Sequence, residues 1–247
     1  MNIKSIRTKK LLPFRQDIFS VLDQCLVEMP ERSILAVTSK IVAICENNVI
    51  PKIGNEKDKI AKKEADYYLP ERKSKYGYLL TIKNGILLPQ AGIDESNGNG
   101  FYILWPKEPQ KSANNILGYL KKRFNRQKIG VIITDSKTTP LRWGTTGVAI
   151  AYSGFSPLKD YINKPDIFGA NMRVTKANIM DALAVGAVLE MGEGSEQTPL
   201  ALITDIPFVD FQKDNPTKKE IRDLNISLDD DLYGELLQSV NWRKVKK

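Results

Sequence analysis

Short uninterrupted apolar runs alternate along the chain with apolar repeats of helical spacing, and this alternation predicts a mixed α/β fold. The continuous runs, typical of strands buried on both faces of a sheet, lie at residues 34–38, 130–134, 147–152 and 200–204. Apolar side chains recur at helical spacing over residues 17–28, 112–124 and 176–191. The last of these segments is apolar almost all round, so we expect it to be a central helix.

Turn-forming residues divide the remaining sequence. Residues 78–88 predict a β-hairpin, because Asn84 and Gly85 suit the two positive-φ positions of a tight turn. Three further segments are expected: a Lys- and Ala-rich surface helix at 56–68, a loop at 91–100, and a last helix opened by Ser227. No repeat or linker divides the chain. Residues 1–210 are therefore taken as one domain, with two lobes as an option, and residues 211–247 as its C-terminal helical tail.

Composition excludes several classes of protein. The 247 residues are 42% hydrophobic and 27% charged, as in ordinary globular proteins, and contain only two cysteines, Cys25 and Cys45. No stretch approaches the 18 or so apolar residues of a membrane span, and the N-terminal segment lacks a signal-peptide core. We expect a soluble, cytoplasmic protein without a membrane partner.

The chain contains no histidine. Ser-His-Asp and Cys-His nucleophilic sites are therefore excluded, as is a zinc site of the usual nitrogen and sulfur ligands. Any metal must be held by oxygen atoms, which favours Mg²⁺, Mn²⁺ or Ca²⁺. The net charge of +8 favours polyanionic partners such as nucleotide phosphates, nucleic acid or acidic small molecules.

Three acidic residues, Asp94, Asp135 and Glu193, lie where an apolar element gives way to a loop. Carboxylates in such places, next to residues that let a phosphate approach the backbone, are typical of Mg²⁺- or Mn²⁺-nucleotide sites. Each one alone is equally consistent with a turn-forming or solvated side chain. Whether the three meet in space is a question that the sequence leaves open.

Other candidates carry weaker signals. Ser39 and Lys40 follow a buried strand and could reach a phosphate, and Arg142 beside Trp143 could bind an anionic substrate. Asp181 is a candidate buried carboxylate that would pair with Arg173, with neighbouring backbone or with a Lys. The basic runs at 121–128 and 243–247 have few aromatic residues to stack bases, so nucleic-acid binding is the less favoured alternative.

Six ordered blocks of sequence resemble the coenzyme F420-0 γ-glutamyl ligase family. They are 33–46 (SILAVTSKIVAICE), 91–97 (AGIDESN), 132–136 (IITDS), 142–150 (RWGTTGVAI), 159–175 (KDYINKPDIFGANMRVT) and 191–194 (MGEG). The resemblance implies the unusual mixed-sheet α/β fold of that family and an intertwined homodimer. It implies a cytoplasmic ligase that uses GTP, or ATP, with Mg²⁺ or Mn²⁺ to join L-glutamate to an acceptor carboxylate through an acyl phosphate.

The resemblance also assigns roles to particular residues. Metal ligation falls to Asp94, Asp135, Ser136 and Glu193, and Arg142 joins the three carboxylates as a catalytic candidate. The nucleotide contacts it implies are Leu11, Leu12, Pro13, Phe14, Ser39, Lys40, Asn97, Met191, Gly192, Glu193, Gly194, Ser195, Glu196, Gln197 and Thr198.

The chain departs from the family pattern near these positions. Ile44 stands where a nucleotide-contacting Lys is frequent, Asn47 and Asn48 replace Gly-Arg, residues 137–139 replace an expected Asn/Phe-Gly-Arg, and residues 195–198 replace a glycine-rich stretch. The acceptor therefore stays open between a deazaflavin and a folate, the latter making the protein a folate poly-γ-glutamate ligase. An inactive nucleotide-binding relative is the remaining alternative.

Overall fold

A five-stranded mixed sheet forms the centre of the protein. The computed structural model describes residues 1–54, 56–70 and 76–245. The strands of this sheet are β1 (Asn2–Ile6), β2 (Ser33–Thr38), β8 (Ile129–Thr138), β9 (Thr145–Ser153) and β12 (Leu200–Thr204). Their spatial order is β1-β12-β2-β8-β9, in which β2 and β8 are parallel and the other neighbours antiparallel.

Helices cover both faces of this sheet. The helices of the chain are α1 (Ile18–Cys25), α2 (Ser39–Cys45), α3 (Lys57–Glu64), α4 (Pro109–Phe124), α5 (Ile179–Met191), α6 (Lys218–Arg222) and α7 (Gly234–Gln238). On one face, α1, α2 and α4 pack on side chains such as Leu35 and Val131. On the other face, α5 packs on Ile34 and Ile132. Alternate residues of β2 and β8 thus enter two separate cores, as their continuous apolar runs predicted.

A second, smaller layer lies beside the central sheet. Its strands are β3 (Val49–Pro51), β4 (Tyr67–Tyr68), β5 (Leu80–Lys83), β6 (Ile86–Pro89), β7 (Phe101–Ile103) and β13 (Arg243–Lys244). β13, β4, β5 and β6 form one sheet, and β3 pairs with β7. The predicted hairpin is confirmed, with Asn84 at φ 50° and Gly85 at φ 74° between β5 and β6. The last strand places part of the C-terminal segment in this layer.

Several element boundaries differ from the predictions. The helix predicted at 56–68 ends at Glu64, since Tyr67 and Tyr68 pair with β5. The helix predicted at 176–191 begins at Ile179, because β11 (Lys176–Asn178) pairs with β10 (Leu158–Asp160). Ser227 caps only a turn through Asp230, and the helix there begins at Gly234. The helix α2 was not predicted.

The prediction that α5 is central is half correct. Leu183, Ala184 and Ala187 are buried against the sheet, but Leu189 is 83% exposed and Val185 lies on the same outer side. Small residues let the inner side approach closely: a methyl group on Gly147 of β9 would lie 2.4 Å from the Ala184 carbonyl oxygen. This contact sets the position of α5 relative to strands β8 and β9.

Candidate nucleotide and metal site

A cavity of about 540 Å³ lies where the parallel pairing of β2 with β8 ends, at Thr38 and Thr134. Such carboxyl-end crevices are the usual ligand sites of α/β sheets. It is lined by five segments of the chain: residues 8–12, 38–44, 94–99, 134–136 and 188–199. Asp94, Asp135 and Glu193, predicted from separate parts of the sequence, all line this one cavity.

Lys40, in the first turn of α2, forms an ion pair with Asp94. The Lys40 Nζ atom lies 2.6 Å from Asp94 Oδ2, and the backbone N–H and hydroxyl of Ser96 donate to Asp94 Oδ1 at 2.7 and 2.8 Å. Burial raises the pKa of Asp94, but Lys40 and the two Ser96 donors outweigh burial and leave the pKa below its ordinary value. Asp94 is therefore a carboxylate already matched to a cation.

Asp135 lies inside β8, not at its end. The strand was predicted to stop at Thr134, but it continues to Thr138 beyond a bulge opposite Ile133 and Thr134. The indole N–H of Trp105 donates to Asp135 Oδ2. Burial raises the pKa of Asp135 to about 6, with a further contribution from the charge of Asp94, against the lowering effect of the Trp105 and Ser136 donors. The pair of acids therefore favours a neighbouring positive charge.

Glu193 belongs to the glycine loop that follows α5. The Ser136 hydroxyl donates to Glu193 Oε1 at 2.7 Å, which ties this loop to β8. The Asn97 amide donates to the Gly194 carbonyl at 3.0 Å, which ties it to the loop of Asp94. Thr198 donates to the Met191 carbonyl at 2.5 Å, closing the loop on the end of α5. Residues predicted as metal and nucleotide contacts are thus bonded to one another.

The donor set fits a hard divalent cation. Asp94, Asp135, Ser136 and Glu193 offer only oxygen, which Mg²⁺ and Mn²⁺ prefer. Across residues 1–54, 56–70 and 76–245, no three acidic or cysteine side chains are close enough together to hold one ion by themselves. Any ion would therefore take part of its ligand shell from phosphate oxygens or water. The assignment of these residues as metal ligands stays a prediction.

Most, but not all, of the predicted nucleotide contacts line the cavity. Leu11, Leu12, Ser39, Lys40, Asn97 and residues 191–198 do so. Pro13 and Phe14 lie beside it, where the Phe14 N–H donates to Asn47 Oδ1 at 2.7 Å. Arg142 is exposed in the β8–β9 connection and is not among the lining residues.

Sequence reasoning missed several residues at this site. Thr8, Lys9, Lys10, Thr38, Asn99 and Thr134 also line the cavity. Lys9 and Lys10 could have been predicted, because two adjacent basic residues precede the implied nucleotide contact at Leu11. No sequence feature pointed to Trp105, because its hydrogen bond to Asp135 spans 30 residues of sequence.

The departures from the family pattern have structural roles here. Asn47 holds the backbone of Phe14, and the Asn48 amide donates to the Trp105 carbonyl at 2.6 Å. Ile44 forms part of the apolar wall of the cavity. Ile44 therefore contributes directly to the cavity, whereas Asn47 and Asn48 support residues beside it.

Two other candidates serve the fold. Asp181 accepts from the Ala149 N–H at 2.9 Å and from the Asn178 amide at 2.6 Å. Of the predicted partners, which were Arg173, neighbouring backbone or a Lys, it thus bonds to backbone, here that of strand β9. Arg123 and Arg126 of the basic run donate to main-chain carbonyls of Leu22, Leu26 and Met29.

Cys25 and Cys45 are both free thiols. In the described part of the chain, no helix combines the length and apolar composition needed to cross a bilayer.

Comparison with known proteins gives a consistent result. A protein named coenzyme F420:L-glutamate ligase from Methanococcus maripaludis strain C6 is 34% identical over 194 residues, covering 72% of this chain and 78% of the relative. The protein of the same name from M. maripaludis strain S2 is 33% identical over 208 residues, covering 78% of this chain and 82% of the relative. A third, from Methanocaldococcus jannaschii, is 39% identical over 129 residues, or 51% of each chain.

The family model agrees with these relatives and extends over most of the site. The model described as F420-0:Gamma-glutamyl ligase matches residues 13–205, which include Asp94, Asp135 and Glu193. The chain belongs to the F420-0:gamma-glutamyl ligase family.

Proposed function

We propose that this protein is a nucleotide- and divalent-cation-dependent γ-glutamyl ligase that joins L-glutamate to the carboxylate of an F420-0-like acceptor. GTP is the proposed co-substrate, with ATP as the alternative. The observation that carries the proposal is the placement of Asp94, Asp135 and Glu193 on one cavity, beside a glycine loop, in a chain of this family. The names of the relatives support the glutamate and F420 chemistry.

The cation would be held by Asp94, Asp135, Ser136 and Glu193. When bound, Mg²⁺ or Mn²⁺ supplies Lewis-acid neutralisation of the phosphate oxygens. The donor set is anionic, so it matches a cation better than it matches the triphosphate alone. The carboxylates of this chain would thus act by placing positive charge at the phosphates.

Basic side chains of the cavity would bind the phosphates themselves. Lys9 and Lys10 line the wall, and Lys40 lies between Asp94 and Ser96. The Gly194 N–H donates to Glu196 Oε2 at 2.8 Å, and the same carboxylate lies against Gly192. A phosphate would therefore take the place of the Glu196 carboxylate to reach the backbone of this turn. Part of the +8 net charge is then used to offset a triphosphate and two acidic substrates.

Amide formation from a free carboxylate needs activation. In the proposed reaction the acceptor carboxylate attacks the γ-phosphorus, and the nucleoside diphosphate leaves, giving an acyl phosphate. The amine of L-glutamate then attacks the acyl carbon, inorganic phosphate leaves, and the amine loses a proton. With no histidine in the chain, the proton passes to a carboxylate, a Tyr or water.

A mass-spectrometric assay tests this function. The protein is incubated with L-glutamate, Mn²⁺, GTP or ATP, and either a deazaflavin or a folate acceptor. We expect the mass of the deazaflavin to increase by one glutamyl unit. An increase on folate instead would reassign the acceptor. Nucleotide binding without any product would indicate an inactive relative. Asp135→Asn should reduce the rate by at least roughly 100-fold, the upper range for losing a group that only supports a metal ligand. The surface variant Asp160→Asn is the control, and full activity in Asp135→Asn would refute the metal role.

We also propose that the protein acts as a homodimer. Large apolar side chains stay outside the core on an outer arm, which we define as residues 138–145 and 161–175. They are Leu141, Trp143, Ile167, Phe168 and Val174, each at least 85% exposed. Large apolar side chains left in solvent on these two segments favour an association surface. Segment 138–145 of the arm connects β8, which carries Asp135 and Ser136, to β9.

A further inference from the structure

We infer that Trp105 is a positioning residue that fixes the Asp135 carboxylate for cation binding, and that Gly92 exists to make room for its indole. The inference rests on the proposed function, since it assigns Asp135 to a metal. It adds a residue outside the ligand set and outside the cavity wall. Three independent contacts support it.

The first contact is the hydrogen bond itself. Trp105 is 1% exposed, and its indole N–H donates to Asp135 Oδ2. A buried indole N–H needs an acceptor, and here that acceptor is a carboxylate on the cavity. With one oxygen held, rotation of the Asp135 carboxylate about its last torsion is restricted. Groups that orient a metal ligand in this way generally influence metal affinity strongly.

The second contact is with Gly92, on the loop that leads to Asp94. A methyl group on residue 92 would lie 2.2 Å from Trp105 Nε1, so only glycine leaves space for the indole. Gln90, Ala91 and Gly92 all have positive φ, at 54°, 53° and 72°. The backbone is costly for the first two residues, and Thr81 stabilises it by accepting from the Ala91 N–H at 2.8 Å. The same turn therefore seats Trp105 and starts the segment that places Asp94.

The third contact closes the far face of the ring. Lys83 Nζ lies 5.1 Å from the centroid of the Trp105 ring and 2.8 Å from Glu64 Oε2. Lys83 is nearly buried, at 7% exposure, so its cation–π contact is made largely out of water. Glu64, Lys83 and Trp105 thus form a chain of contacts that runs from α3 to the Asp135 carboxylate. The smaller layer of the protein thereby supports a residue of the central sheet.

Cation affinity tests the inference directly. Trp105→Phe keeps an aromatic ring for Lys83 but removes the N–H donor. We expect its affinity for Mn²⁺ in the presence of GTP to fall by roughly 10- to 100-fold. The affinity is measured from the free-Mn²⁺ resonance signal relative to a protein-free Mn²⁺–GTP titration, because GTP alone also binds Mn²⁺. Trp242→Phe is the matched control, because that indole donates to the Leu237 carbonyl instead, at 2.7 Å. An unchanged Mn²⁺ affinity in Trp105→Phe would overturn the inference alone, whereas no Mn²⁺ uptake by the wild type would overturn the metal site as well.

Two glycine variants distinguish the space that Gly92 leaves for the indole from backbone strain at a positive-φ residue. Gly92 and Gly100 both have positive φ, at 72° and 87°, but a methyl group on Gly100 meets nothing within 4 Å. Gly92→Ala should weaken Mn²⁺ binding at least as much as Trp105→Phe, and Gly100→Ala should leave it within about twofold of the wild type. Equal losses in the two glycine variants would show that strain, not the indole, is responsible.

A measurement on the wild-type protein covers the case in which these variants do not fold. The chain has three tryptophans, so the ¹⁵N-indole spectrum has three signals, which Trp143→Phe and Trp242→Phe assign. We expect the Trp105 N–H to exchange slowly with solvent and to shift when Mg²⁺ is added, whereas the exposed Trp143 signal stays in place. A Trp105 N–H signal whose chemical shift does not change at saturating Mg²⁺ would overturn the inference.

Discussion

The ribbon formed by β8 and β9 has two halves with opposite surroundings. In its inner half, Ile132 and Tyr152 face each other in register and are fully buried between the central sheet and α5. In its outer half, β8 carries Asp135 and Ser136, and the connection to β9 then places Leu141 and Trp143 in solvent. The contacts within one chain account for the inner half. The outer half is the part that the proposed function assigns to a ligand and to a second copy of the chain.

The bulge marks the change from one half to the other. At Ile133 and Thr134 the pairing shifts by one residue of β9, and Asp181 accepts from the Ala149 N–H at this point. A bulge bends the strand that carries the extra residue, here Ile150 of β9, and bulges are frequent next to functional sites. Here the next residue of β8 is Asp135. The transition from packing to chemistry therefore occurs within two residues of one strand.

Truncating each half of the ribbon should have very different effects on the stability of the chain. Ile132→Ala removes a fully buried side chain, so we expect a loss of about 2–5 kcal/mol in the free energy of unfolding. Leu141→Ala removes a side chain that is wholly exposed, and we expect a change within about 0.5 kcal/mol. Urea denaturation of both variants at low protein concentration makes the comparison. Similar losses in the two variants would remove the distinction between the halves.

Asp135 should oppose folding at neutral pH. Its pKa is raised to about 6, mainly by burial, so the charged form is the less stable one in the folded chain. Stability is therefore gained as the pH falls through 6 towards the unfolded value near 4, by at most about 1.4 kcal/mol per pH unit. Asp135→Asn, the variant expected to be inactive, should accordingly be more stable than the wild type at pH 7.5 in EDTA.

The sign of this effect can be checked by denaturation at two pH values. Other carboxylates titrate in the same range, so the informative quantity is the difference between Asp135→Asn and the wild type. We expect the difference to shrink between pH 7.5 and pH 5. A difference that stays constant between the two pH values would show that Asp135 is not the group responsible.

The inner half and the position of the acids could be predicted from the sequence, for a physical reason. Continuous apolar runs such as β2 identify strands buried on both faces without knowledge of their partners. Asp94, Asp135 and Glu193 stood out because each follows such an element or its loop. The extension of β8 past Asp135 could not be predicted, since residues 135–138 are polar and show no buried face. The Trp105–Asp135 bond depends on two segments that only the tertiary fold brings together.

Local competition between helix and strand caused the other errors. Lys176 to Asn178 continue the pattern of α5, and only pairing with β10 makes them a strand. Tyr67 and Tyr68 likewise follow α3 and are taken up by β5 and by β13 from the far end of the chain. Pairings of such long separation leave no trace in a local pattern. They decide boundaries, whereas the local pattern identifies most of the long elements. The exception is α2, whose apolar residues follow β2 directly and continue its apolar run.

Gly147 should link the stability of the ribbon to the geometry of the site. It pairs with Ser136 across the ribbon, and a methyl group there would lie 2.4 Å from the Ala184 carbonyl oxygen. Because backbone atoms cannot yield easily, we expect Gly147→Ala to cost about 1–3 kcal/mol in stability and to displace α5 and its glycine loop. Gly118→Ala, on the exposed side of α4 with open space at its Cα, should instead stabilise by about 0.5–1 kcal/mol. Thermal unfolding of the two variants measures both signs, and a neutral Gly147→Ala would mean that α5 is not tightly seated.

A substitution in the outer arm should have the smallest effect on the stability of the single chain, and it should also affect the association of two chains. Trp143 is 92% exposed, so Trp143→Asp should change the free energy of unfolding of the isolated chain by no more than about 0.5 kcal/mol. If the arm forms the dimer, the same substitution places a charge in an apolar interface and should shift the sedimentation coefficient from dimer to monomer. Val27→Asp is the matched control, since Val27 is 91% exposed but lies outside the arm. A wild-type protein that sediments as a monomer would refute the dimer, and a dimer that survives Trp143→Asp would place its interface elsewhere, leaving the exposed half of the ribbon to the ligand alone.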